Sequence, residues 1–384
     1  MASADRALYR QSAAPKSFSL LYSPRSLLQA NMSSKKKIPS WMAAVKRLIP
    51  DQRRGYRWQR YGLVAALLLS VTSFFTWLAA PPKLPDVVIL PPLLIDEPFM
   101  PRRGARNIIF VETTCAIKNV SWSGLRPRQA CAVESAARHH PGWHIYVLHT
   151  CVTPLPVRWV PAGATAVYVP LAEFLSDTPL YTPLIEQGAL AASHWPIEHA
   201  SDVMRLVALW KYGGVYLDLD FVVLRQLSEL GENWAGAEDS ATVANCALSL
   251  SARPDSAGPE VAAACLQSLR DCFDGEQWTH NGPALLTRIL AQRCNADSTA
   301  AMADCGGFRV LPAALFFPVH YNSWQMYFSE EDANTTLAKL ETAYAVHVWN
   351  KLSRISRKTL PHSAYAKIAR VNCPDAYESA LDGF

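Results

Sequence analysis

Apolar and polar positions alternate along residues 107–373 with two different periods. Short runs of β-branched and aromatic residues predict buried strands, whereas longer runs with apolar residues three or four positions apart predict helices. The predicted strands are NIIFVETT (107–114), WHIYVLHT (143–150), ATAVYVPL (164–171), VYLDLDFVVL (215–224) and TAYAVHVWN (342–350). The predicted helices are RQACAVESAARHH (128–140), SDVMRLVALWKY (201–212), PEVAAACLQSLRDCF (259–273) and PALLTRILAQRC (283–294). Strands that alternate with helices indicate an α/β fold with a mainly parallel sheet, in which ligands bind beyond the carboxyl ends of the strands.

The stretch KYGGVYLDLD at 211–220 joins a helix to a strand through two glycines. Ser201 is the predicted N-cap of this helix, and the glycine pair ends it. The strand that follows closes on two carboxylates, Asp218 and Asp220, with one leucine between them. Their mutual repulsion is unfavourable at the end of a buried strand, so the pattern needs an explanation.

Helix and strand dimensions place these carboxylates beside the start of the helix. The helix rises about 15 Å from Asp202 to Tyr212, and the strand climbs back about 13 Å to Asp218. Asp202 and Arg205 are three positions apart and share a helix face. We therefore expect one cleft to hold four side chains, those of Asp202, Arg205, Asp218 and Asp220.

A divalent cation would explain two carboxylates in one cleft. Mg²⁺ and Mn²⁺ prefer carboxylate, water and phosphate oxygens in octahedral array. Such an ion would neutralise a diphosphate and so improve it as a leaving group. The alternative is that Asp218 and Asp220 are turn residues after an edge strand, because a bare Asp-x-Asp pattern is common.

Charge separates the N-terminal tail from the rest of the chain. The 384 residues carry a net charge of +5. Residues 1–60 hold 13 Lys and Arg against 2 Asp and Glu, so the remainder is net negative. A nucleic-acid-binding domain would carry its basic face on the folded body. The pattern therefore argues against a nucleic-acid partner, and the basic clusters of the tail are better explained as topology signals or contacts with anionic lipid headgroups.

The stretch YGLVAALLLSVTSFFTWLAA at 61–80 has no charged residue and is long enough to cross a bilayer core of about 30 Å as a helix. Four arginines precede it and place that side in the cytosol by the positive-inside rule: Arg53, Arg54, Arg57 and Arg60. A signal peptide is the alternative, but the run begins sixty residues into the chain and is longer than an h-region. We expect a single-pass type II membrane protein.

Seven prolines in 81–105 indicate an extended stem. The predicted organisation is a cytosolic basic tail (1–60), a transmembrane signal anchor (61–80), a Pro-rich stem (81–105) and a lumenal catalytic domain (106–384). All nine cysteines follow the span, which suits an oxidising lumen. We expect one disulfide between Cys294 and Cys305, and the lack of a close CxxC pair argues against a zinc site.

The block SDVMRLVALWKYGGVYLDLDFVVL at 201–224 resembles the sugar-binding DXD region of retaining glycosyltransferases. Four other blocks are similar, in the same order, to the family of α-1,4-galactosyltransferase (globotriaosylceramide synthase) and α-1,4-N-acetylglucosaminyltransferase. These are IFVET (109–113), CAVESAARHHP (131–141), HNGPALLTRIL (280–290) and TAYAVHVWNKLS (342–353). The resemblance spans nearly all of 107–373. It implies a GT-A-type nucleotide-sugar-binding sandwich, Mn²⁺ or Mg²⁺ as cofactor, and UDP-galactose or UDP-N-acetylgalactosamine as donor.

The resemblance also implies roles for the residues of the predicted cleft. Asp220 would be the direct metal ligand, and Asp218 would contact the metal or the ribose and donor sugar. Asp202 and Arg205 would hold sugar hydroxyls and phosphate. His347 would complete the metal shell, since a neutral imidazole is a sound ligand for Mn²⁺. The alternative for His347 is a core histidine with its hydrogen bonds satisfied.

Further residues receive roles from the same resemblance. Near the uridine it places Phe110, Val111, Glu112 and Thr113. Asn350 and Lys351, with Ser353, would bind the diphosphate, although a solvated lysine is equally compatible with the sequence. Asn281 would join Asp218 and Asp220 as a catalytic residue facing the anomeric carbon, where the family's block often carries Gln instead. No covalent nucleophile stands out, so the resemblance implies front-face attack with the leaving phosphate as base.

The expected function is metal-dependent, retaining transfer of galactose or N-acetylgalactosamine in α-1,4 linkage. The acceptor would be the terminal sugar of a lactosylceramide-like glycolipid, and the location the Golgi membrane. One alternative is an α-1,4-N-acetylglucosaminyltransferase acting on glycoprotein glycans. Another is a tethered carbohydrate-binding protein without turnover, which the intact acidic and His347 positions argue against. The candidate donors differ at C2 and C4, which the motifs do not distinguish.

Overall fold

The computed structural model describes residues 99–116, 124–151, 160–353, 359–380 and 384. All of them belong to one compact unit, Asp86–Phe384. The predicted tail, the predicted span at 61–80 and most of the predicted stem lie outside the described residues. Within the described part of the chain, no helix combines the length and the apolar character that crossing a membrane requires.

Nine strands form two sheets in this part of the chain. They are β1 (Asn107–Glu112), β2 (His144–His149), β3 (Ala164–Tyr168), β4 (Gly214–Leu217), β5 (Phe221–Val223), β6 (Trp234–Ala237), β7 (Val243–Leu250), β8 (Arg309–Leu311) and β9 (Ala345–His347). The central sheet has the order β3-β2-β1-β4-β7-β6-β8, and β5 pairs with β9 in a second, antiparallel sheet. In the central sheet only β7 runs against its neighbours. The predicted α/β class with a mainly parallel sheet is confirmed.

Helices cover both faces of the central sheet. They are α1 (Pro127–His139), α2 (Leu171–Leu175), α3 (Pro196–Tyr212), α4 (Ala257–Cys272), α5 (Pro283–Cys294), α6 (Ala333–Leu340), α7 (Asn350–Ser353), α8 (Ala364–Asn372) and α9 (Pro374–Glu378). Alternate side chains of β1 enter two separate apolar cores, Ile108 and Phe110 on the face of α1 and α8, and Ile109 and Val111 on the face of α3, α4 and α5. This alternation follows from the two-residue period of a strand.

Two glycines make the connection between α3 and β4 possible. Gly213 and Gly214 have positive φ angles of +70° and +114°. A Cβ atom on Gly214 would lie 2.5 Å from the carbonyl oxygen of Asn107, and one on Gly213 would lie 2.8 Å from the backbone nitrogen of Ala252. Only glycine fits this reversal, which inserts β4 directly between β1 and β7.

The structure corrects two predicted boundaries. The helix α3 begins at Pro196, with Trp195 as its N-cap, and not after Ser201. Proline suits the first turn of a helix, where its missing N–H group is not needed. The strand predicted over 215–224 is two strands, because the chain turns at Asp218, whose carbonyl accepts a hydrogen bond from the Phe221 amide (3.2 Å). After this turn β5 leaves the central sheet and pairs with β9.

Three disulfides link the described residues: Cys115–Cys151, Cys131–Cys373 and Cys294–Cys305. The predicted pair Cys294–Cys305 is confirmed. The pair Cys131–Cys373 joins α1 to the start of α9, and Glu134 of α1 strengthens this junction by accepting hydrogen bonds from the amides of Asp375 and Ala376. Three cysteines remain outside disulfides: Cys246, Cys265 and Cys272.

Candidate active site

One edge of the central sheet gathers the predicted polar residues. The strands β1 and β4 are parallel, with Ile109 opposite Tyr216, so both end at this edge. The hydroxyl of Thr113, just after β1, donates to the carbonyl of Ile197 in the first turn of α3 (2.9 Å). The amide of Asp218 donates to the carbonyl of Cys246 in β7 (3.0 Å). The start of α3 and the carboxyl ends of β1 and β4 therefore frame a single site.

Arg205 is the central cation of this site. Its Nη2 lies 3.3 Å from Oδ1 of Asp202, and its Nη1 lies 3.2 Å from Oδ1 of Asp218. The guanidinium stacks 4.7 Å from the ring centroid of Tyr216 and donates to the hydroxyl of Ser201 (2.9 Å). The contacts join the middle of α3 to the end of β4, and they bring Asp202, Arg205 and Asp218 together as the helix and strand dimensions predicted.

Burial and charge act against each other in this cluster. Burial raises the pKa of Asp202, whereas Arg205 and a hydrogen bond from Asn245 oppose that shift. Burial also raises the pKa of Asp218; Arg205 opposes the shift and the carboxylate of Asp220 adds to it. Burial disfavours the charged form of Arg205, but Asp218, Tyr216 and Asp202 outweigh it and raise its pKa. Arg205 is therefore a fixed positive charge that holds two carboxyl groups.

Asp220 and His347 form the second half of the site. The Nε2 atom of His347 lies 3.0 Å from Oδ1 of Asp220, and the amide of Asn350 donates to Oδ2 of Asp220 (3.0 Å). Burial raises the pKa of Asp220, but the charge and hydrogen bond of His347 outweigh it and leave that pKa lowered. Burial lowers the pKa of His347, but Asp220 outweighs it and leaves that pKa raised. Each partner therefore stabilises the charged form of the other.

Aromatic rings fix the position of the His347 ring. Its centroid lies 4.1 Å from that of Trp349, 4.8 Å from that of Phe221 and 5.8 Å from that of Phe317. Trp349 has a positive φ of 57°, which is uncommon for a residue with a side chain. This conformation directs the chain so that the Asn350 amide reaches Asp220.

The arrangement fits a divalent cation. In an octahedral shell with ligands about 2.1 Å from the ion, neighbouring ligand atoms are about 3 Å apart, and the Asp220 and His347 atoms have this separation. Oδ1 of Asp218 is occupied by Arg205 and Tyr216, whereas no described residue donates a hydrogen bond to its Oδ2. Asp220 and His347 could therefore hold the ion together, and Asp218 could join them through its Oδ2, with positions left for diphosphate oxygens.

Two residues of the site were missed by the sequence reasoning. Asn245 of β7 donates to Oδ1 of Asp202 (2.8 Å). Glu238 follows β6, which runs parallel to β4, so it emerges at the same edge of the sheet as Asp218. Burial raises the pKa of Glu238 to about 7, although the charge of His347 opposes the shift. Glu238 could have been noticed as an acid after a strand, but the preceding WAGA lacks the β-branched residues that mark strands.

Lys351 lies in an aromatic corner beside the site. Its Nζ donates to Oε1 of Glu198 (2.9 Å) and lies 3.3 Å from the ring centroid of Trp278. Trp195 packs edge-to-face on Trp278 with centroids 5.1 Å apart. The amide of the preceding residue, Asn350, donates to Asp220, so the backbone at Lys351 follows directly on the Asp220–His347 pair.

The remaining predicted residues have mainly structural contacts. Phe110 and Val111 are buried in the two cores, and Glu112 accepts hydrogen bonds from Gln129 and Thr114. Their role near a uridine stays a prediction.

Asn281 and Ser353 differ from expectation. Both amide atoms of Asn281 bond to the backbone of Asp274, and the residue is fully buried, so its side chain holds a loop in place. Its role at an anomeric carbon therefore stays a prediction that this conformation does not display. Ser353 is buried and bonds to Arg128 and to the carbonyl of Val348. It supports α7, and its role at a diphosphate stays a prediction.

Comparison with known proteins adds two family matches. The profile described as "Alpha 1,4-glycosyltransferase conserved region" matches residues 255–380, and that described as "Glycosyltransferase sugar-binding region containing DXD motif" matches residues 126–240. Lactosylceramide 4-alpha-galactosyltransferase of Homo sapiens is 31% identical over 263 residues, which cover 65% of this chain and 72% of that protein. The Gorilla gorilla gorilla enzyme of that name is 30% identical over 311 residues, covering 77% and 90%.

Two further similarities complete the comparison. Alpha-1,4-N-acetylglucosaminyltransferase of Homo sapiens is 27% identical over 297 residues, covering 72% of this chain and 82% of that protein. A solved structure of the galactosyltransferase LgtC with donor and acceptor sugar analogs aligns with 71% of this chain and 95% of its own, with 14% identity and a TM-score of 0.35.

Proposed function

We propose that this chain, which belongs to the α-1,4-glycosyltransferase family, transfers galactose or N-acetylgalactosamine. The sugar would come from a UDP-sugar and be attached in α-1,4 linkage. The proposed acceptor is the terminal sugar of a lactosylceramide-like glycolipid, and the proposed fold type is GT-A. The observation that carries this proposal is the convergence of Asp202, Arg205 and Asp218 with the pair Asp220–His347 at one sheet edge.

Donor binding follows from the charges of this edge. A divalent ion held by Asp218, Asp220 and His347 would neutralise the diphosphate and favour its departure. Arg205 holds Asp218 by Oδ1, so that Oδ2 is directed away from the ion pair. Lys351 lies next to Asn350, which contacts Asp220, and its ammonium group would reach a phosphate by exchanging Glu198 for it.

Sugar recognition is assigned to the buried carboxyl of Asp202. Asn245 and Arg205 share its Oδ1, and the backbone of Gly282 lies against both oxygens, since a Cβ atom there would be 2.8 Å from each. This close packing fixes the carboxyl group in one orientation. A fixed acceptor of hydrogen bonds can distinguish sugar hydroxyls by their position, because a misplaced hydroxyl leaves a buried polar atom unpaired.

The proposed chemistry is front-face displacement with retention. The leaving phosphate oxygen would take the proton of the acceptor hydroxyl, as the family resemblance implies. Glu238 emerges at the same edge with a raised pKa, so we assign it a hydrogen bond to a hydroxyl of one of the two sugars. A Golgi membrane location, with residues 61–80 as anchor, is part of the proposal because of the apolar run and the preceding arginines.

The test is a donor and acceptor panel with the full-length chain in detergent micelles. UDP release would be measured with UDP-galactose, UDP-N-acetylgalactosamine and UDP-N-acetylglucosamine, with lactosylceramide or a glycoprotein glycan as acceptor. Activity with Mn²⁺ that is lost in EDTA and requires lactosylceramide supports the proposal. Activity confined to UDP-N-acetylglucosamine and the glycoprotein glycan would support the second candidate, which the 27% identity to the human N-acetylglucosaminyltransferase favours.

A further inference from the structure

A free thiol lies among the candidate metal ligands. Cys246 belongs to β7 and is partly buried, and it is one of three cysteines outside disulfides in the described part of the chain. Its Sγ, a carboxylate oxygen of Asp218 and a ring nitrogen of His347 all lie within 4.8 Å of one another. The three ligands come from the end of β4, from β7 and from β9, so no local spacing in the sequence indicates them.

We propose that Cys246, Asp218 and His347 form a second coordination set that binds thiophilic divalent cations such as Zn²⁺ and Cd²⁺. The inference rests on the proposed function, because the two sets share Asp218 and His347. Mn²⁺ would use oxygens of Asp218 and Asp220 with Nε2 of His347, whereas Zn²⁺ would bind the sulfur, an oxygen of Asp218 and Nδ1 of His347 while Asp220 stays bonded to Nε2. The site would then bind one ion at a time, and zinc would exclude the catalytic ion.

The three ligand atoms could surround a tetrahedral ion if they moved slightly closer together. Zn²⁺ lies about 2.3 Å from sulfur and about 2.0–2.2 Å from nitrogen or oxygen, so its ligand atoms are about 3.3–3.6 Å apart. Closing from 4.8 Å therefore requires each ligand pair to approach by at most about 1.5 Å. Three protein ligands leave a fourth position for water or a phosphate oxygen, as in other zinc sites with three protein ligands.

The histidine ring has a nitrogen available for such an ion. Nε2 of His347 contacts Asp220, and Nδ1 is buried with no hydrogen-bond partner among the described residues. A buried nitrogen without a partner is unfavourable. A metal on one nitrogen and a carboxylate on the other is the common arrangement of metal-bound histidines, and it would satisfy both nitrogens of His347.

Ligand softness gives the selectivity. Thiolates favour Zn²⁺ over Mn²⁺, and zinc also binds more tightly than manganese to most mixed sites. Binding is a simple exchange: the Cys246 thiol releases its proton to solvent, its sulfur lone pair forms the bond to the cation, and no electron is transferred. Zinc binding should therefore release a proton that manganese binding does not release.

The experiment measures metal binding directly. Co²⁺ is titrated into the metal-free full-length chain, because Co²⁺ reports a thiolate ligand by an intense sulfur-to-metal charge-transfer absorption. We expect this band in the wild type and in Cys272→Ser, which removes an exposed thiol elsewhere, and its loss in Cys246→Ser. Zn²⁺ should abolish the band by displacing Co²⁺, and its affinity should fall about 100-fold or more in Cys246→Ser, since even outer-shell changes lower metal affinity roughly 10- to 100-fold.

Two outcomes overturn the inference. Co²⁺ bound to the wild type without the band, or an equal band in Cys246→Ser, would remove Cys246 from the coordination shell. Circular dichroism and Mn²⁺ affinity of Cys246→Ser show whether that variant is folded, and Cys246→Ala serves as a second variant if it is not. The band is independent of turnover: a band without transfer to any acceptor refutes the proposed function alone, whereas transfer without a band refutes the zinc set alone.

Discussion

Arg205 and Asp218 are held 3.2 Å apart, Nη1 to Oδ1, although they belong to a helix and a strand that run in opposite directions. Their contact is possible because the Gly213–Gly214 reversal returns the chain along its own path. The Arg205 side chain is buried, with 6% of its surface exposed, and the Asp218 side chain is partly buried, with 29% exposed. The ion pair therefore holds α3 against the end of β4, in addition to any part it takes in donor binding.

Arg205→Ala should destabilise the protein strongly. It leaves the buried carboxyl group of Asp202 and the partly buried one of Asp218 without their cation, and breaking a buried pair in this way typically costs about 3–5 kcal/mol. Thermal or denaturant unfolding measures the change. The control is Arg253→Ala, which removes an exposed pair with Glu232 and should change stability by about 0.5 kcal/mol or less. Equal effects of the two variants would contradict the assigned role of Arg205.

Asp220→Asn should abolish most turnover while the chain stays folded. The amide retains the shape of the carboxyl but loses the charge that attracts both His347 and a cation, and losing one such electrostatic contact lowers kcat by about 100- to 1,000-fold. UDP release with Mn²⁺ and calorimetric Mn²⁺ binding are the measurements. Asp271→Asn, on the exposed face of α4, is the control. Full activity of Asp220→Asn would refute the metal assignment.

Lys351→Ala should raise the KM for the UDP-sugar by about tenfold, because one charge-assisted hydrogen bond contributes about 1.5–3 kcal/mol and tenfold corresponds to 1.4 kcal/mol. The kcat should change less, if the ammonium group binds the diphosphate equally in the ground and transition states. Lys339→Ala, at an exposed position of α6, is the matched control. An unchanged KM would indicate that Lys351 has only a structural contact with Glu198 and does not bind the diphosphate.

Gly282→Ala should distort the site through a single methyl group. Its Cβ would lie 2.8 Å from both oxygens of Asp202, and overpacking of this kind costs about 1–3 kcal/mol. Unfolding midpoints and donor affinity should both fall. The double variant Asp202→Ser/Gly282→Ala should recover part of the lost stability, because the shorter side chain makes room for the methyl group. Strict additivity of the two changes would show that they do not interact.

Glu238 should make stability depend on pH. Its pKa is about 7 in the folded protein, against about 4.5 for an ordinary glutamate, so the folded state binds the proton more tightly than the unfolded state. Its contribution is therefore complete below about pH 4.5 and is lost as the pH rises towards 7, by on the order of 2 kcal/mol. Unfolding measured from pH 4.5 to 7.5 should show a smaller decline in Glu238→Gln. An identical decline in both proteins would contradict the shifted pKa.

The sequence predicts the first half of the central sheet better than the second. Strongly periodic segments such as β1, α1 and α5 appear where the pattern placed them. The small residues of WAGA form β6 although they show no alternation of apolar and polar positions. The pattern of 215–224 predicts one strand and does not indicate the turn at Asp218. Both outcomes depend on tertiary partners, β7 for the first and β9 for the second.

In the candidate site, too, local regular segments are predicted from the sequence, whereas contacts that depend on tertiary structure are not. Helix and strand dimensions suffice to bring Asp202, Arg205 and Asp218 together, because the chain between them is short and regular. The positions of Glu238 and of the Cys246 thiol depend on chain segments far apart in the sequence. The contact of Asn281 with Asp274 spans seven residues of a loop, where no apolar period indicates it. Family resemblance supplied His347, whose contact with Asp220 no local pattern could have indicated.

The bridge between Cys131 and Cys373 has a consequence for how the molecule is handled. The stretch between these cysteines contains Asp202, Arg205, Asp218, Glu238, Cys246 and His347, so these six residues lie inside one covalent ring. A protease that cuts the backbone once within this ring leaves both pieces joined. Nicked molecules would therefore migrate as intact ones on an electrophoresis gel until a reducing agent is added.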